Sequence, residues 1–155
     1  MGLDKKYSNK PFQKYAGLGM APKGEFEHQF LLHQFLFALK TQAGWRHSDL
    51  ELMCETQLDP NDTGSRVPDV IAFRKHSNLR QYKPVFFIEV TTTRKWKAML
   101  RKALSAAADY DVAEAFVYDY EKKRWARISG GVVNEDVSYS ATFRLDLAEL
   151  VCNGL

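Results

Sequence analysis

The sequence predicts a one-domain α/β fold, a mixed central sheet with helices packed on it, and three observations carry that prediction. A helical period runs from Glu25 to Gln42. Two apolar runs follow, "VPDVIAFRK" (67–75) and "PVFFIEVTTTRK" (84–95), each filled on both faces as a buried strand is. The helical period then returns from Arg94 to about Ala108 and leads into a third apolar run, "EAFVYDY" (114–120). At 155 residues the chain is long enough for one core and too short for two ordinary ones. Its 45% hydrophobic and 26% charged residues belong to a folded globular protein and exclude a disordered or fibrous one.

Taken in order, residues 1–23 are read as an N-terminal arm, because five Lys with Tyr7, Phe12 and Tyr15 between them are interrupted by Gly and Pro. Residues 24–155 form the single domain. In "EFEHQFLLHQFLFALKTQ", Leu31, Leu32, Phe35, Leu36, Ala38 and Leu39 fall on one broad side, and Phe26, Phe30 and Phe37 make a second apolar stripe. That stripe needs a cover, which the arm or a second copy in a homodimer would supply. "LELMCETQL" (50–58) reads as a strand and "DPNDTGS" as a turn-rich loop. "HSNLRQYK" is too polar for a core and connects the two apolar strands. Trp96, Met99, Leu100, Ala103, Leu104 and Ala107 give the second helix its buried side. "EKK" is a turn, "RWARIS" a returning strand, "VSYSATFRL" an edge-strand candidate and "DLAELVC" a short terminal helix. The first three strands are expected to form a meander, with the fourth reached by a helical crossover.

Two residues do not suit this apolar scheme. Asp69 and Glu89 each occupy a place where a core side chain would otherwise sit, and an isolated ionised carboxylate there costs several kcal/mol. One reading is structural: Asp69 caps its strand and Glu89 pairs with an internal base. The other is a site for a hard divalent cation, which takes oxygen ligands and retains waters able to attack a phosphodiester. The two cysteines, Cys54 and Cys152, have no metal-ligand spacing.

The segments "FEHQFLLHQFLFAL", "VPDVIAF", "PVFFIEVTTT" and "KALSAAADYDVAEAFVYD" together resemble the PD-(D/E)XK nuclease superfamily, the restriction-endonuclease-like fold with an αβββαβ core. Within it the chain is most similar to the Uma-type bacterial endonucleases. The resemblance implies a Mg²⁺- or Mn²⁺-dependent endonuclease acting on DNA. Asp69 and Glu89 would hold the metal, with the main-chain carbonyl of Val90 as a third ligand. The superfamily's lysine, two residues after the acid, is Thr91 here, which brings no positive charge. Lys102 from the following helix is the best match for a substitute, although a snorkelling surface lysine fits it as well. That helix starts one residue closer to the acid than in the family pattern and lacks its Ser-Pro segment. From the first helix, Glu25 or His28 would position the metal's shell. A satisfied core histidine is the alternative for His28, and Glu51 and Glu55 are a reserve source of a third carboxylate.

Charge is distributed unevenly: residues 1–108 hold 17 basic against 10 acidic side chains, and residues 109–155 hold 5 against 9. Between Val90 and Ala108 there is no acid, whereas Arg94, Lys95, Lys97, Arg101 and Lys102 could track phosphates. A solvated basic face is the plain alternative. No run approaches the ~20 apolar residues of a membrane span, and "MGLDKKYSNK" has no signal-peptide core, so no membrane partner and a cytoplasmic location are expected. The absence of a lysine at position 91 leaves open a catalytically inactive nuclease-fold module that binds nucleic acid or a protein.

Overall fold

A six-stranded sheet in the order β1-β2-β3-β4-β5-β6 carries the structure, a computed structural model that describes residues 25–43 and 49–151. The arm expected over 1–23 lies outside the described residues. Helix α1 (Glu25–Ala43) leads into β1 (Leu50–Cys54), β2 (Val70–Arg74) and β3 (Lys83–Thr91), which pair antiparallel as a meander. Helix α2 (Trp96–Asp109) then crosses over to β4 (Glu114–Asp119), which lies parallel to β3. Strands β5 (Arg124–Ser129) and β6 (Val132–Glu135) return antiparallel and complete the sheet. The helix, three strands, helix and strand expected from the sequence are therefore found in that order.

Strand alternation gives the sheet two apolar faces, and one helix covers each. Against α1, whose Leu31, Leu32, Phe35 and Leu39 are buried, lie Val70, Ala72, Phe86, Ile88, Val90, Phe116 and Tyr118. Phe35 meets the Tyr118 ring edge-on at 5.9 Å and that of Trp125 at 5.6 Å. Against α2, whose Trp96, Ala103, Ala106 and Ala107 are buried, lie Ile71, Phe73, Phe87, Ala115 and Val117. The alanines matter here, because a helix with small side chains can settle closely on strand β4. Phe26, Phe30 and Phe37 of α1 are exposed, so the second stripe is present.

Two local readings are corrected. The 50–58 strand stops at Cys54, because Glu55 takes a left-handed backbone (φ 48°) and turns the chain away. The edge of the sheet is Val132–Glu135 rather than the later "VSYSATFRL" run. That run instead gives β7 (Tyr139–Ser140) and β8 (Leu145–Asp146), a separate small sheet, before a 3₁₀ turn over Leu147–Leu150. Among the described residues, no helix is long and apolar enough to cross a membrane.

Candidate active site

Strands β2 and β3 part at one end, and the two puzzling carboxylates lie at the parting. Val70 pairs with Ile88, so one step further the antiparallel register sets Asp69 opposite Glu89. No ladder pair forms there. The Asp69 side chain fills the opening, its Oδ2 accepting the N–H of Val90 at 2.7 Å. The same oxygen lies 3.2 Å from His28 Nε2, which α1 presents from one side of the sheet. Glu89 follows the alternation of Phe87 and faces the α2 side, where its Oε1 accepts both Nε (3.1 Å) and Nη2 (2.8 Å) of Arg66. The guanidinium also rests on Met99 of α2, with Nη2 3.3 Å from Sδ.

The electrostatics follow from this geometry. Glu89 is only 3% exposed. Burial raises its carboxyl first and the charge of Asp69 raises it further, while Arg66 pulls it back, leaving it pushed up from 4.5 to about 7. The hydrogen bond to Asp69 raises His28 above its ordinary 6.5, with burial opposing and the charges of Asp69, Glu55 and Glu89 assisting. The two acids are close enough to hydrogen-bond to one another when one is protonated. Among the described residues, Asp69 Oδ1 and Glu89 Oε2 take no bond from a basic or backbone donor.

Such a donor set suits a hard cation, because two adjacent carboxylates, each with an oxygen that no basic or backbone donor takes, are what Mg²⁺ commonly takes from a protein, the rest being water and substrate. Among the described residues, no group of three or more His, Cys, Asp and Glu side chains is arranged to hold a metal. The side chain of Glu25 lies outside the described residues. At Val90 the structure shows the N–H engaged with Asp69, and nothing bears on its carbonyl as a ligand.

The remaining expected residues divide by position. Glu55, exposed beyond the end of β1, bonds Gln29 Nε2 at 2.9 Å and is near enough to act on His28. Glu51 instead pairs with Lys75 at 3.6 Å, beside the far end of β2. Arg94, Lys95, Lys97, Arg101 and Lys102 are all exposed on α2 and its lead-in. No ion pair joins Lys102 to either acid among the described residues. Thr91 is buried and spends its hydroxyl on a long bond to Thr92 O at 3.5 Å. Sequence reasoning missed Arg66 altogether. The available signal was a basic residue three places before Asp69 in "SRVPDV", just ahead of a strand whose neighbour carries a buried acid.

No protein-family model and no curated protein sequence matches the chain. Among solved structures, it is similar to a protein of Anabaena variabilis described as a candidate nuclease belonging to DUF820, with a TM-score of 0.61 and 12% identity over 84% of this chain and 82% of that one. A nuclease from a fusselovirus overlaps 70% of this chain and 68% of its own at a TM-score of 0.40 and 17% identity. The first likeness is one of fold alone, over most of both chains, and in this chain that fold is a six-stranded mixed sheet flanked by helices.

Proposed function

We propose that the chain is a Mg²⁺- or Mn²⁺-dependent endonuclease that hydrolyses DNA phosphodiester bonds at the parting of β2 and β3. The observation that carries this is the placement of Asp69 and Glu89 in opposed register, Glu89 buried and Asp69 half-buried, each keeping one oxygen that takes no bond from a basic or backbone donor among the described residues. The fold shared with a candidate nuclease supports it, as does the resemblance of the four sequence segments to Uma-type enzymes.

Asp69 and Glu89 would hold the ion through Oδ1 and Oε2. When bound, it supplies Lewis-acid chemistry, lowering the pKa of water and offsetting charge on the phosphate. The protein's own part is orientation and exclusion. Val90 N–H and His28 fix the Asp69 carboxylate from two directions, and Arg66 fixes that of Glu89. Protonated His28 balances the negative charge of Asp69 and is also placed to move a proton at Oδ2. The exposed cations of α2, Lys102 among them, would follow the DNA backbone.

Incubation of labelled single- and double-stranded DNA with Mg²⁺ or Mn²⁺ tests this reading, with EDTA as the control. Cleavage that EDTA abolishes is the expected result. One observation favours a second reading, a nuclease-fold module that binds DNA without cutting it: Arg66 already occupies Oε1 of Glu89, and Lys102 forms an ion pair with neither acid. Salt-dependent binding with no cleavage under any metal would select that reading.

A further inference from the structure

We propose that Arg66 grips the scissile phosphate, coupling the substrate to Glu89 through one guanidinium; this rests on the nuclease reading above. Thr91 brings no charge to the place where the resembling family has its lysine, and the five cations of α2 and its lead-in are exposed away from ion pairs with the acids. Among the described residues, only Arg66 and His28 set a cation against the paired carboxylates.

The guanidinium is held by one edge and open at the other. Its Nε and Nη2 both donate to Glu89 Oε1, while Nη1 makes no hydrogen bond among the described residues. The side chain is 28% exposed, against 4% for that of Glu89, so the charge lies at the mouth of the site with the acid behind it. Its backbone is fixed as well: Arg66 O accepts the N–H of Leu58 at 2.9 Å, and buried Pro68 leads directly into Asp69. A planar fork, already oriented by Glu89 and seated on Met99, meets a phosphate with little further loss of freedom. An arginine serving only to neutralise Glu89 has no need of an open edge at the mouth of the site.

The test compares Glu89→Gln with Glu89→Gln/Arg66→Gln and Glu89→Gln/Arg66→Lys, so that removing Arg66 leaves no buried charge unpaired. Binding of a fluorescent DNA oligonucleotide is followed by anisotropy over a series of KCl concentrations, and melting curves check that each variant is folded. The expected result is about tenfold weaker binding on loss of Arg66, with a salt slope smaller by about one, and recovery of the slope by lysine. Equal affinity and equal slope with and without Arg66 would overturn the proposal, as would failure of the Glu89→Gln protein to bind DNA at all. Cleavage by the wild-type protein is scored separately. An Arg66-dependent slope in a protein that never cuts upholds the phosphate contact and removes the nuclease reading alone.

Discussion

Glu89 is held in a place that favours its protonated form, and Arg66 only partly offsets that. Its carboxyl stands at about 7 in the fold against an ordinary 4.5, so between those values the folded chain keeps a proton that the unfolded chain has released. The contribution of Glu89 to stability is fully present below the ordinary value and is lost as pH rises through the folded one, about 3 kcal/mol at most for this shift. His28 works in the same direction: its stabilising proton is fully present below 6.5 and is lost as pH rises through its raised value. With metal chelated, the melting temperature is therefore expected to fall between roughly pH 5 and pH 8, and Glu89→Gln should flatten most of that slope. An unchanged slope in the variant would contradict the assignment. Asp69 and Glu89 were legible in the sequence because a carboxylate in an apolar strand stands out against its neighbours. Arg66 was not, because its partner lies 23 positions away and only the pairing of three segments brings them together.

At the level of elements, periodicity identified α1, α2 and the strands buried on both faces, and turn chemistry identified β5. The region after Gly131 was not legible, because its short strands owe their place to one distant acid. Glu114, at the start of β4, is 2% exposed and accepts Arg127 Nε at 2.8 Å, Ser140 Oγ at 2.8 Å, and the N–H groups of Ala141 at 2.9 Å and Thr142 at 3.1 Å. Burial alone would raise its carboxyl, but these donors outweigh burial and hold it below the ordinary range. Its contribution is thus present above 4.5 and is lost as pH falls through the lowered value. Replacing Glu114 with Ala leaves Arg127 and two backbone N–H groups without their acceptor. Urea unfolding should show a loss of about 3 kcal/mol, while a loss under about 0.5 kcal/mol, the range of an ordinary surface change, would show that the C-terminal loop does not depend on it.

Over the whole molecule, basic side chains gather on one helix and acidic ones follow it in the chain. The cations from Arg94 to Lys102 are exposed along the helix that follows β3, the strand carrying Glu89, whereas residues 109–155 are net acidic. If that helix tracks a phosphate backbone, Lys97→Glu with Arg101→Glu should weaken DNA binding about equally for all sequences. The salt slope should also be smaller by about two, one for each phosphate that the helix no longer neutralises. Binding unchanged by the reversal would leave the helix as a solvated face. The sequence made the asymmetry visible but not its direction in space, which depends on α2 crossing over to place β4 parallel to β3. The most direct measurement is cleavage of single- and double-stranded DNA with Mg²⁺ or Mn²⁺ by the wild-type protein, Asp69→Ala and Glu89→Ala, each confirmed folded. The account predicts metal-dependent cleavage by the wild type and a loss of at least about a hundredfold in both variants. Cleavage that survives either substitution, or a wild-type protein that cuts no substrate with either metal, would contradict it.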